Sequence, residues 1–497
     1  MSLARAVAWN SLVQVGGRLF GLVASMTFNA ILIRHLGIAT FGQFTAASVY
    51  VGLFMILGES GLYLVSVRKA MQEPEQRGRI LGTALGLRLL WTIFPLGLAF
   101  VVAQWIPEQR FPTYQPVVKL TIGILAFNEY IRLLSQFLTA IFRMHLRMDL
   151  AVIGEAGSRL VALAGILWVA QSGGGLIAVG LTFTLANAVN LAYAWLVARR
   201  LETFRPELHR PLVGALLRES IVVAGVLILS LLRVQVGTLL LSLLRPAEDV
   251  GIYGVASKVH EVVITFPGLF IALVYPLLSR LASENADRLR QTFQRTFDVM
   301  FLAGVASALE ILVLAPQIAS ILGESRATAP MRVLALSLPA IFLGMSFSHL
   351  LLAESRQGLI LRFYTLLAMA SLASNALLVP HFSYMAVATT SVVMETCVVL
   401  CLSTYVAWRR HWRLDLRVLW ALPLATATGL VVHAIGSRIV PAAHPSLLAS
   451  ILYVVIAGGG TILLFAGAAW RLGLVDAGFI RSLRGGPPGA PAAENST

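Results

Sequence analysis

Charge is scarce in this sequence. Only 12% of the residues are charged, and acids are fewer than bases, 23 Asp and Glu against 38 Lys and Arg. Lysine is nearly absent: Lys69, Lys119 and Lys258 are the only three. None of them follows a glycine or precedes Ser or Thr, which excludes a Walker-type phosphate loop. Cysteine is as rare. Cys397 and Cys401 share one apolar stretch, ETCVVLCLSTYV, so they read as small apolar residues and not as a disulfide framework. The histidines His260, His349 and His433 stand isolated, and neither H-E-x-x-H, a Cys/His cluster nor a nucleophile elbow occurs. No metal and no cofactor are expected. A soluble domain is about 25% charged. A chain that is 58% hydrophobic, with mean hydropathy +0.82, falls outside that class.

What the sequence has is long apolar runs. A bilayer span takes about 20 mostly apolar residues. Fourteen such spans are read at 9–33, 41–66, 80–104, 116–141, 150–171, 176–198, 220–244, 250–278, 297–316, 330–352, 359–379, 384–407, 418–440 and 447–470. The first follows Arg5 and is too long for a signal core, with no small-residue cleavage site after it, so it is expected to be retained. The fold class is therefore all-α integral membrane. The tail GGPPGAPAAENST has the composition of a disordered end.

The cations set the orientation. Arg34, Arg110, Lys119, Arg245, Arg326, Arg332 and Arg438 lie in one set of alternating loops, and the other set carries several times as many. That richer set is expected to be cytoplasmic, with both termini inside. Topology thus explains most of the net charge of +15, and no nucleic acid is expected. Trp9, Trp105, Trp168, Trp408, Trp412 and Trp470 sit near span ends and read as interface anchors.

The chain repeats itself. When residues 32–49 (LIRHLGIATFGQFTAASV) are laid on 241–258, Gly42 falls on Gly251, Phe44 on Tyr253, Ala47 on Ala256 and Ser48 on Ser257. Span one then matches span seven, and span two matches span eight. The unit is six helices, and an even unit keeps its orientation, so the copies are expected to relate by an axis along the membrane normal. The expected organisation is an N-terminal six-helix lobe (1–200), a cytoplasmic linker (201–219), a C-terminal six-helix lobe (220–410), two additional helices (411–472) and a tail (473–497). Glycine pairs such as Gly16-Gly17-x-x-x-Gly21 and Gly82-x-x-x-Gly86 are expected to allow close helix contact.

Several short motifs occur in a fixed order. Asn10 is followed by Leu36-Gly37, Phe41-Gly42, the ESGL of Glu59–Leu62, and Arg68-Lys69. Gly251, Tyr253, Ala256 and Lys258 come next, then Phe266-Pro267, and Tyr275-Pro276-Leu277 with Arg280. In this order the chain resembles the polysaccharide biosynthesis (Wzx-type, O-antigen) flippases of the multidrug/oligosaccharidyl-lipid/polysaccharide exporter superfamily, over residues 5–410. The resemblance implies a bacterial inner-membrane transporter and not an enzyme. It would move undecaprenyl-pyrophosphate-linked glycan from the cytoplasmic to the periplasmic leaflet by alternating access. A polysaccharide polymerase and assembly proteins would be its partners, besides the lipid bilayer. Gln235 stands where many relatives carry an acid, so any ion coupling must use another residue. Two other readings stay open: a cation-coupled drug or metabolite antiporter of the same superfamily, and a membrane glycan polymerase or ligase. The short outer loops speak against the latter.

Six cations lie within spans: Arg18, Arg88, Arg132, Arg159, Arg233 and Lys258. A charge at the bilayer centre costs at least about 2.5–3.5 kcal/mol, so these are expected to face a shared cavity or a carboxylate. Glu155/Arg159 and Glu129/Arg132 are spaced to share a helix face. Arg18, Arg88, Arg233 and Lys258 have no such close partner in the reading. With Arg132 and Arg159 they are the candidate substrate-binding residues, since arginine binds phosphate oxygens bidentately. Proton or sodium coupling would need a buried carboxylate. Glu59, Glu261, Glu310 and Glu395 are the candidates.

Overall fold

The computed structural model describes residues 3–59, 61–145, 147–412, 415–439 and 447–471; the 473–497 tail lies outside them. All regular structure among the described residues is helical. The α-helices are α1 (Leu3–Glu59), α2 (Leu62–Gln72), α3 (Arg77–Gln104), α4 (Pro116–Met144), α5 (Met148–Ser172), α6 (Leu176–Leu201), α7 (Arg210–Leu244) and α8 (Ala247–Val263). There follow α9 (Thr265–Glu284), α10 (Ala286–Leu322), α11 (Thr328–Ala335), α12 (Leu338–Ala353), α13 (Gln357–Arg410), α14 (Ala421–Ile439) and α15 (Leu447–Arg471). The described residues of every expected span fall on helix, apart from short breaks. Seven stretches of described residues are long and apolar enough to cross a membrane as they stand, and an eighth is the pair 325–335 and 338–353, bent by 41°.

Helices and spans do not correspond one to one. Spans one and two run together in α1, broken only at Gly37 (φ 74°, ψ 162°). This backbone conformation disfavours any residue with a Cβ. Spans eleven and twelve run together in α13 across Ser383, a non-glycine at φ 51°. The hydroxyl of Ser383 donates to Asp249, which also accepts Arg245 Nε at 3.0 Å; Arg245 Nη1 reaches the Pro380 carbonyl at 3.5 Å. Asp249 therefore holds a strained turn in place. Spans two and eight contain breaks that the hydropathy does not show, between α1 and α2 at Gly61 (φ 65°) and between α8 and α9 at Ile264.

The chain forms two compact units. The first comprises residues 1–255, 322–324 and 368–387; the second comprises 256–321, 325–367 and 388–497. The repeat reappears as a contact inside the first unit. A Cβ on Gly42 would lie 1.7 Å from the Ala247 carbonyl oxygen and 2.8 Å from Gly251 N, and one on Gly251 would lie 2.2 Å from the Ile38 carbonyl oxygen. Under the repeat, Gly42 and Gly251 are counterparts, and so are Ile38 and Ala247. The two copies therefore meet reciprocally, as identical patches do across a two-fold axis. A Cβ on Gly254 would lie 2.9 Å from Oγ1 of its own counterpart, Thr45.

The glycines of α3 do something else than expected. Gly78, Gly82 and Gly86 do not pack on a helix. Cβ atoms there would lie 2.5, 2.2 and 2.4 Å from the carbonyl oxygens of Thr203, Arg205 and Glu207. The segment between α6 and α7 thus lies directly on α3, and Glu207 N donates to Gly82 O at 3.2 Å. The register matches: four helical residues rise about 6 Å, and two extended ones about 6.6 Å. Glu202 fastens one end to Arg77 (2.9 Å) and His145 (3.5 Å), and Glu207 lies 3.9 Å from Arg79. Phe204 is buried against Trp195, centroids 5.9 Å apart. Gly82→Val is expected to lift this segment off α3. Limited chymotrypsin digestion should then cut after Phe204 at least tenfold faster, with cleavage elsewhere unchanged. An unchanged rate would contradict the docking.

In the second unit small residues bring other helices onto α10. Gly304 lies against Pro339 at the start of α12, Gly429 of α14 against Leu309, and Gly458 of α15 against Glu310. The two additional helices thus pack on α10 through small residues, as membrane helices do. Trp105, Trp168 and Trp408 are exposed, as interface anchors would be. Trp412 is not: it is 9% exposed and packs against Phe293, centroids 6.1 Å apart, because the chain turns inward after α13.

Candidate functional site

The expected substrate-binding residues have different surroundings. Arg88 is buried on α3, with 1% of its surface exposed. Arg132 Nε donates to Glu129 Oε2 at 2.7 Å, and its Nη2 lies 2.6 Å from Met55 Sδ on α1. This is the pair that the i, i+3 spacing predicts. Arg159 does not pair with Glu155, which is exposed. Its Nη1 instead donates to the Gly21 carbonyl at 2.7 Å. A Cβ on Gly21 would lie 2.6 Å from Arg159 Cζ, so the glycine makes room for the guanidinium. Gly17 meets Val152 in the same way, and the expected close contact of this glycine pair forms between α1 and α5. Arg132 and Arg159 thus tie α4 and α5 to α1.

Lys258 differs from the expectation that it lacks a close partner. Its Nζ lies 2.9 Å from Glu261 Oε2, one turn along α8, with the two side chains 41% and 51% exposed. An exposed pair of this kind contributes little to stability, about 0–1 kcal/mol. Of the other coupling candidates, Glu395 is half-buried on α13 and Glu310 is half-buried on α10. Glu310 Oε1 would lie 2.9 Å from a Cβ on Gly458, and no hydrogen bond to Glu310 is formed among the described residues. Arg18, Arg233 and Glu59 fall outside the residues whose side chains the structure describes.

Two cavities among the described residues of the first unit have linings without these arginines. One, of about 390 Å³, is lined by Leu85, Leu89, Leu134, Leu138, Ala188, Leu191, Ala192 and Trp195. The other, of about 440 Å³, is lined by Tyr50, Leu53, Phe54, Leu57, Ile106, Leu239 and Leu243. Beside the second cavity a polar chain crosses the core. Tyr50 Oη donates to the Ala99 carbonyl at 3.1 Å, its ring meets that of Tyr114, and Tyr114 Oη is 2.8 Å from Ser242 Oγ. Burial pushes the Tyr114 phenol up to about 12, against the opposing effect of its bond to Ser242. The reading of the sequence missed this chain and the Glu202 cluster. Their members lie far apart in sequence, and only hydroxyls in otherwise apolar spans could have signalled them.

The fold has known counterparts. The solved structure titled "Lipid II flippase MurJ, inward closed conformation" matches with a TM-score of 0.73 at 12% identity, over 93% of this chain and 99% of that one. An inward-facing multidrug resistance MATE family transporter of the MOP superfamily matches with a TM-score of 0.67 at 12% identity, over 80% and 98%. A MOP superfamily transporter from Pyrococcus furiosus, titled for the reverse polarity of its binding pocket, gives 0.59 at 14% identity, over 81% and 95%. No match was found among curated proteins. The MatE family profile matches residues 222–377. The profile of the polysaccharide biosynthesis proteins matches residues 3–282, more than half of the chain, and the protein belongs to that family.

Proposed function

We propose that the protein is a flippase for a polyprenyl-pyrophosphate-linked oligosaccharide. The observation that carries this reading is the conjunction of a polysaccharide-biosynthesis sequence with a fold like that of a lipid II flippase over 93% of the chain. A transporter on this fold works from two six-helix lobes with the substrate between them. We place the lobes at 1–200 and 220–410, both termini in the cytoplasm, and the protein in a bacterial inner membrane. The cations support an anionic substrate through Arg18, Arg88 and Arg233, since Arg132 is offset by Glu129, Lys258 by Glu261, and Arg159 is bonded to the Gly21 carbonyl. Arg88 comes first among them, because an ionisable residue 1% exposed inside a span marks a functional position. Among the coupling candidates Glu310 comes first, because it is half-buried and makes no hydrogen bond among the described residues.

The test is a deletion in the host, with extraction of the polyprenyl-linked lipids. Pyrophosphate-linked oligosaccharide should accumulate on the cytoplasmic leaflet. The wild-type gene should clear it, Arg88→Ala should clear it at least tenfold more slowly, and Glu310→Gln should lose its dependence on the proton gradient. Protein amounts are checked by immunoblot. An unchanged lipid pool with raised drug sensitivity would replace this reading by the antiporter one, in which the cations are structural.

A further inference from the structure

The 390 Å³ cavity of the first unit has a direction. Its walls are Leu85 and Leu89 of α3, Leu134 and Leu138 of α4, and Ala188, Leu191, Ala192 and Trp195 of α6. On each helix the lining residues are one turn apart, so they form stripes along the helix axes and not a ring around one point. The α6 stripe runs seven residues, about 10 Å. One end is closed by polar bonds: Tyr130 Oη donates to the Leu89 carbonyl at 3.3 Å, and Asn187 Nδ2 to Asn128 Oδ1 at 2.8 Å. The other end is Trp195, and beyond it α6 turns cationic. The Arg199 guanidinium lies over the Trp195 ring, 5.7 Å from its centroid, and Arg200 follows. Both arginines are exposed, and neither has a carboxylate partner among the described residues.

An apolar slot with two exposed cations just beyond its end fits a molecule with a hydrocarbon chain and an anionic head. We infer that this cleft holds the first isoprene units of a polyprenyl phosphate, with its phosphate at Arg199 and Arg200. The choice of a polyprenyl chain over a phospholipid rests on the flippase reading above. The stacking on Trp195 places the Arg199 fork at the cleft mouth, where it meets phosphate oxygens bidentately. On the topology proposed here that mouth is cytoplasmic, the leaflet in which such a substrate is made. The cleft is built by α3, α4 and α6 alone, so it serves as a waiting site on the first unit and not as the transport chamber.

The experiment is native mass spectrometry of the full chain in detergent with added C55 polyprenyl phosphate, and separately with phosphatidylglycerol. Ala192→Trp fills the cleft. Arg199→Ala/Arg200→Ala removes the cations without touching the core. Leu181→Trp, an exposed position elsewhere on α6, is the control. Polyprenyl phosphate should bind the wild type and the control equally and Ala192→Trp at least tenfold more weakly. It should bind the double arginine variant about thirtyfold more weakly, at roughly 1 kcal/mol per cation facing an anionic headgroup. Equal retention by Ala192→Trp, or phosphatidylglycerol binding as tightly and lost in the same variants, overturns the inference. The lipid-accumulation assay separates the two readings. A wild type that clears the lipid while Ala192→Trp binds normally removes only the cleft. A wild type that never clears it removes the flippase reading, and binding that is lost in Ala192→Trp still supports the cleft.

Discussion

Gly42→Ala is expected to destabilise the purified protein by about 3 kcal/mol, near the upper end for overpacking. Gly251→Ala should match it. The new methyl at 42 would lie 1.7 Å from a backbone oxygen, and the one at 251 would lie 2.2 Å from another. No rotamer relieves either clash, because an alanine Cβ has none and the obstacles are main chain. The two segments must therefore separate. Since the contacts are reciprocal, one separation relieves both, and the double substitution should cost clearly less than the sum of the singles. Gly52→Ala in the same helix meets open space and should stabilise by roughly 0.5–1 kcal/mol, the helix preference of alanine over glycine. Unfolding in mixed micelles with increasing denaturant measures all four variants. Strict additivity of the pair would contradict the reciprocal crossing.

Arg410→Ala is expected to cost about 2–3 kcal/mol, below the range for a fully buried ion pair broken from one side because the arginine is partly solvated. Arg410 Nη2 lies 2.7 Å from Glu354 Oε1. The glutamate side chain is 9% exposed and the arginine side chain 35%. Removing the arginine strands a carboxylate beside an aromatic cluster of Phe293, Phe297, Phe347 and Trp412. Removing the glutamate strands a guanidinium that already reaches water and that also lies over Trp412, 5.9 Å from the ring centroid. Glu354→Gln should therefore cost much less, about 1 kcal/mol. Arg410→Lys should fall between, since it keeps the charge and loses the planar fork. The same denaturation series checks the order, and equal losses for Arg410→Ala and Glu354→Gln would contradict the asymmetry of burial.

Hydropathy made the membrane fold legible, because a span is a property of one run of residues. The repeat was legible for a related reason: Gly42 and Gly251 stand at corresponding places in two segments that can be laid side by side. Their mutual contact was not, since a counterpart in sequence need not be a neighbour. The Gly82/Gly86 spacing showed that something approaches α3 closely, but the same i, i+4 ladder fits a helix and an extended segment alike. Arg132 found its expected partner one turn away, and Lys258 found an unexpected one at the same spacing on α8. Arg159 illustrates the limit. Its ligand is the carbonyl of Gly21, 138 residues away, and a carbonyl has no letter in the sequence. The breaks at Gly61 and Ile264 lie inside unbroken apolar runs, where hydropathy carries no punctuation.

The docking of residues 203–207 on α3 has an evolutionary corollary. The contacts run through the carbonyls of Thr203, Arg205 and Glu207, and every amino acid supplies a carbonyl. Substitutions along this segment should therefore drift with little selection, apart from Glu202 and Phe204. A one-residue insertion is different. It would turn the alternate set of carbonyls toward Gly78, Gly82 and Gly86 and shift every contact by one step. Homologues should thus keep the segment's length while its letters diverge, and a glycine lost from α3 should be accompanied by a change of that length.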